Sequence, residues 1–180
     1  MAVPISERIP NNQEDMYRSM FDAFSSNLRV AMPGIIQSFD PVEQTVTVQP
    51  AIRERVQDGK LQSSWVNLPL LLDVPIVLPR AGNMVMTMPI AAGDECLVIF
   101  ADMCYDAFFS NGGIQNQIEK RRHDLSDGIA IIGMWSQPNV IENYSTTSAQ
   151  LRNLNGTQYV EISDNAVNLV GNVRVNGNPL

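Results

Sequence analysis

The sequence predicts a mainly β protein: one helix, a small antiparallel barrel or sandwich, and a tail of very short strands. Three observations predict it. From Gly34 to Met134 apolar residues recur with a period of two between Gly, Pro, Asn and Asp turn signals. Only the segment before Gly34 carries a helical period. After residue 155 the strands shrink to a few residues, separated by Asn and Gly, which accept the positive φ that tight turns demand.

The elements follow in order. Asn11 and Asn12 can cap a first helix, and Glu14 and Asp15 suit its positive end. Met16, Met20, Phe21, Phe24 and Leu28 form one apolar stripe, and Met32-Pro33-Gly34 is expected to end the helix. Ile35, Ile36 and Phe39 lead to a turn at Asp40-Pro41, after which Val42, Val46 and Val48 alternate with polar residues through to Ile52. Asp58-Gly59 marks another turn. Trp65 to Leu72 is an apolar run, Val74 to Leu78 a strand, and Met84, Met86 and Met88 alternate in a further strand. Ala92-Gly93-Asp94 turns the chain into the core strand Cys96 to Phe100. Ser110 to Asp127 reads as a polar loop, Ile129 to Met134 as the last strand of this unit, and residues 136–155 as a linker without sustained period.

In the tail, Val160 and Ile162, then Val167 and Leu169, then Val173 and Val175 occupy alternate positions. Strands this short and few cannot close a core alone. Winding three copies around a shared axis would bury these six positions, each worth about 1.5–3 kcal/mol when fully enclosed. The expected organisation is a helical segment over 1–33, a barrel over 34–135, a linker over 136–155 and a trimeric needle over 156–180.

Composition excludes several functions. With 12 Lys and Arg against 19 Asp and Glu, the chain lacks the cationic surface that displaces counterions from phosphate, so nucleic acid is not an expected partner. Its one basic cluster, Lys120-Arg121-Arg122 before His123, reads as a solvated loop. Cys96 and Cys104 have no metal-binding spacing and read as buried thiols of a reducing compartment. The acidic N-terminus does not resemble a signal peptide, and no apolar stretch is long enough for a membrane span. His123, Asp124 and Ser126 are neighbours in one loop, without the separate base and oxyanion hole of a triad. Asp94 and Glu95 face opposite sides of a strand, so they make no carboxylate pair. No catalytic residue, cofactor or metal site is expected.

Several stretches resemble a known family. Gly34 to Pro41 with Thr45 to Pro50, Val74-Pro75-Ile76 with Pro79, Pro89 to Phe100 with its Gly93-Asp94 turn, and Arg122-His123-Asp124-Leu125-Ser126-Asp127-Gly128 stand in the order seen in the central spike proteins of contractile-tailed phage baseplates (the baseplate assembly protein V, or membrane-puncturing spike, family). The resemblance covers residues 34–135, and the tail matches in composition. It implies a virion protein of the tail baseplate: a homotrimer with an OB-fold collar and a C-terminal triple-stranded intertwined β-helix, made in the bacterial cytoplasm. Its partners would be itself, the baseplate hub and tail tube proteins, and transiently the host outer membrane, which it would pierce on sheath contraction. The Met16–Leu28 helix is the candidate hub contact. Many such spikes end in a His-x-His iron site. This chain has a single histidine, so a separate tip-capping protein is expected instead. The alternatives are an OB-fold oligonucleotide- or glycan-binding module and a trimeric tail-fibre protein.

Overall fold

The computed structural model describes residues 13–57, 59 and 62–179. Among the described residues it is mainly β with two α-helices. The chain forms two compact units, one ending at Met134 and one running from Trp135.

Helix α1 is Gln13–Asn27, with Arg18 reaching back to Glu14 one turn earlier. The asparagines proposed to cap it lie outside the described residues. The helix ends before Met32-Pro33-Gly34, which belongs instead to strand β1, Ala31–Asp40. Gly34 is required there. A Cβ on it would overlap Cγ1 of Val48 and press on Sγ of Cys96, so side chains of both neighbouring strands, β2 and β8, fill the space over its backbone. Strand β2 is Thr45–Pro50. The Asp40 carboxylate accepts from the N–H groups of Val42 and Glu43, holding Val42 in the turn rather than in the strand expected for it.

A hairpin follows, β3 (Glu54–Gln57) with β4 (Ser63–Val66). The apolar run Trp65 to Leu72 therefore divides: its start lies in β4 and its end opens β5, Leu71–Val77. Pro69, with no N–H to donate, falls in the break. A two-residue hairpin joins β6 (Arg80–Ala81) to β7 (Met84–Val85). Met86 and Met88 are not in a strand; the ladder stops after Met86, whose N–H donates to the Pro79 carbonyl. Strand β8 is Glu95–Phe100. In the turn before it, the Asp94 carboxylate accepts from Ala91 N–H, and the backbone exchanges bonds with Ile36. Helix α2, Asp106–Asn111, was not expected; it precedes the Ser110–Asp127 stretch read as a loop and overlaps it only at Ser110 and Asn111, and β9 is Gly128–Ile132.

Five of these strands close a barrel in the order β1-β2-β5-β9-β8. All pairs are antiparallel except β5 with β9. Ile36, Val46, Val48, Cys96, Val98 and Ala130 fill its interior. The registers set its two ends. The start of β1, the β3–β4 hairpin and the segment between β8 and β9 gather at one end. The β1–β2 turn, the β6–β7 hairpin and the exit past Ile132 gather at the other.

In the second unit, β10 (Ala149–Arg152), β11 (Tyr159–Ile162) and β12 (Val167–Val170) form an antiparallel sheet. Strand β10 falls inside the stretch expected to be a linker. Strands β13 (Arg174–Val175) and β14 (Asn178–Pro179) pair through Asn176-Gly177, both at positive φ, the geometry of a tight hairpin turn.

Candidate assembly surfaces

The second unit is built around one amphipathic sheet. Val160 lies opposite Leu151 and Leu169, and Ile162 lies opposite Ala149 and Val167. Since side chains alternate across a strand, these six residues share one face. That face is bare: Val160, Ile162, Val167 and Leu169 are 40–68% exposed, and Leu151 is exposed as well. The opposite face carries Gln150, Arg152, Glu161 and Asn168 beside Tyr159 and the exposed Val170, and its polar groups are internally bonded. The Glu161 carboxylate accepts from Ser148 Oγ (2.6 Å), Gln150 Nε2 (3.0 Å) and Asn168 Nδ2 (2.9 Å). Those bonds, the Ser148 hydroxyl foremost, hold the Glu161 carboxyl below the usual carboxylate range. Arg152 ties the sheet to the preceding loop by donating to the carbonyls of Glu142, Asn143 and Leu154.

Four of the six proposed needle-core residues are thus brought together. The other two are not part of this sheet. Val175 is exposed in β13, and Val173 precedes that strand, half-buried. The pairing seen is that within one chain. β10, β11 and β12 hydrogen-bond to one another within a single chain, because the turns between them are tight enough to close hairpins.

On α1, Met16, Met20, Phe21 and Phe24 are all exposed, as is Leu28 just beyond the helix. Their spacing sets the stripe, and the helix leads into the start of β1.

The basic run resolves differently from a solvated loop at one position. Arg121 donates to Asp127 through Nε and Nη2 (3.1 Å each), to Asp106 (2.7 Å), to Glu119 (2.7 Å) and to Cys104 Sγ (3.2 Å). Asp127 is fully buried. Cys104, Asp106 and Asp127 offer ligand-type atoms within 4.8 Å of one another, and the guanidinium is the cation that bridges them. The Arg121 bond holds the Asp106 carboxyl below its ordinary value. Burial, and then the Asp127 charge, push the Tyr105 phenol up to about 12, and its hydroxyl donates to the Gly128 carbonyl at 2.6 Å. Arg121 thereby pins the long segment between β8 and β9. The sequence signal for it is weak, because Asp106 and Asp127 lie fifteen residues before and six after it.

His123, at φ 49°, sits beside Asp102 (3.4 Å), and its backbone N–H donates to Ala101. Ser126 N–H donates to the Asp124 carboxylate. His123, Asp124 and Ser126 therefore build a turn.

No curated protein matches the chain. Residues 32–133, more than half of it, match the family model described as the phage protein Gp138 N-terminal domain.

Proposed function

The chain belongs to the phage protein Gp138 N-terminal domain family and is a phage structural protein; on that premise we propose that it is the central spike of a contractile-tail baseplate. In this reading it acts as a homotrimer without catalytic activity, and sheath contraction drives it through the host outer membrane.

The observation that carries the proposal is the bare apolar face of the β10-β11-β12 sheet, set against a face whose Glu161, Gln150 and Asn168 are already bonded. A sheet with one unsatisfied aliphatic face needs a second layer. Three copies meeting at an axis supply it symmetrically, and the outer edges of β10 and β12 remain open for pairing between chains in a β-helix. Piercing requires stiffness, which such an axial core provides.

Two further features agree. The barrel order β1-β2-β5-β9-β8, with one parallel contact between β5 and β9, supports the OB-fold collar. Helix α1 joins the end of the barrel opposite the one from which the chain leaves for the second unit. This suits a collar that offers its α1 stripe to the hub and tail tube. A separate tip protein would cap the needle, and no nucleic acid would be bound.

The test is made in particles. Leu169→Asp places a charge on the bare face and leaves the barrel untouched. Particles carrying it should lack axial density below the tail tube in electron micrographs and should fail to infect. Normal axial density with full infectivity would overturn the spike reading.

A further inference from the structure

The dipeptide Asn-Gly occurs three times in the chain, at Asn111-Gly112, Asn155-Gly156 and Asn176-Gly177. With no Cβ on the second residue, its backbone nitrogen can approach the carbonyl carbon of the Asn side chain and close a five-membered ring. That reaction has two local requirements. The Asn side chain must be free to turn toward the chain, and the next N–H must be free to give up its proton. A hydrogen bond held by either group opposes it.

The fold treats the three sites differently. At the end of α2, the Gly112 N–H donates to the Phe108 carbonyl (2.7 Å), and Asn111 Nδ2 donates to the Ala107 carbonyl (3.0 Å). Between β10 and β11, the Gly156 N–H donates to the Asn153 carbonyl (3.0 Å), and Asn155 Oδ1 accepts from the Thr157 hydroxyl (2.9 Å). Both of these sites hold nitrogen and side chain in place. Asn176 and Gly177 instead form the two-residue turn of the β13–β14 hairpin, at φ 51° and 82°. Both are exposed, and among the described residues neither the Asn176 side chain nor the Gly177 N–H makes a hydrogen bond. Two residue pairs hold the hairpin, Arg174 with Pro179 and Val175 with Asn178. A ladder that short opens readily.

We propose that Asn176-Gly177 is a modification site at which the protein deamidates spontaneously through a cyclic imide. The Gly177 backbone nitrogen loses its proton to solvent and attacks Cγ of Asn176. The new N–C bond forms as the Cγ–Nδ2 bond breaks, and Nδ2 takes up a proton and leaves as ammonia. Water then adds to one of the two imide carbonyls. Opening at one side leaves an aspartyl residue at position 176; opening at the other leaves an isoaspartyl residue, whose main chain runs through Cβ. Nothing is oxidised or reduced. Either product puts a carboxylate into the turn. The isoaspartyl form also lengthens by one carbon a turn that needs positive φ at two consecutive residues, so the β13–β14 pairing opens where it forms. None of this depends on the spike reading.

Ageing the purified full chain at mildly alkaline pH tests it. Arg80, Lys120, Arg152 and Arg174 let trypsin place the three dipeptides on separate peptides, 81–120, 153–174 and 175–180. Mass spectrometry of those peptides should show the Asn176 amide lost at least tenfold faster than those of Asn111 and Asn155, and an isoaspartyl methyltransferase should label 175–180. The same ageing in denaturant should bring the three rates within about threefold. A lead at Asn176 short of tenfold in the folded chain overturns the inference. So does a lead that survives in denaturant, because neighbouring residues and not the fold would then set it. Aspartate at position 176 without isoaspartate also overturns it, since direct hydrolysis of the side-chain amide bypasses the imide.

Discussion

Arg121 shows how one side chain can fix a long insertion. Asp127 is fully buried, and its carboxylate meets the guanidinium at both oxygens. Removing one partner of such a pair leaves a charge stranded in the interior, which costs about 3–5 kcal/mol. Arg121→Ala should lower the unfolding free energy by about that amount, read from the denaturant midpoint; a loss under about 1 kcal/mol would mean that solvent already screens the pair. The same contact sets a pH dependence. Asp106 titrates below its ordinary value in the folded chain because Arg121 bonds to it. Its contribution is therefore present above the unfolded carboxylate value, about 4, and is lost as pH falls through the depressed folded value. Acid should loosen the segment between β8 and β9 first, seen as faster amide exchange across 101–127 below about pH 4. Uniform exchange across the barrel strands and this segment would count against it. None of this was readable from Lys120-Arg121-Arg122 alone. A basic run looks solvated when its acidic partners are brought to it only by the fold.

At the scale of elements, legibility in the sequence followed the length of the pattern. Strands β1, β2, β8 and β9 were visible because each fills several core positions with a period of two. Strand β10 was hidden: two alternations in Ala149 to Arg152 are too few to stand out from a polar stretch. Helix α2 was hidden because its six residues span less than two turns. The Met84-Met86-Met88 alternation misled for the opposite reason, since a pattern becomes a strand only if a neighbour offers a ladder. Gly34 was taken as a stop signal when it is a close approach inside the barrel. The α1 stripe was legible as a helix, and among the described residues it stays exposed. Arg29, which pairs with Glu54, and Val30, which accepts from Phe100 N–H, already belong to the barrel. Deleting residues 1–27 should therefore leave melting temperature and oligomeric mass unchanged, yet abolish entry into baseplates. Loss of the oligomer on that deletion would place α1 in the trimer core instead of at the hub.

At the scale of the molecule, the two units differ in what they leave open. The barrel is closed and filled, and its outer face carries one uncharged row, Pro33-Leu97-Ile131-Val77, across four strands. The sheet of the second unit is closed on one face by hydrogen bonds and open on the other. The sequence announced the open sheet through alternate apolar positions in strands too short to make a core. It announced the uncharged row only in outline, since a two-sided strand and an ordinary core strand look alike until the registers are known. Self-association is therefore the central claim, and the most direct test is the solution mass of the purified full chain by light scattering, before and after removal of residues 156–180. The account predicts about three times 19.9 kDa for the full chain and a weakened trimer after truncation. A stable monomer at micromolar concentration would contradict it.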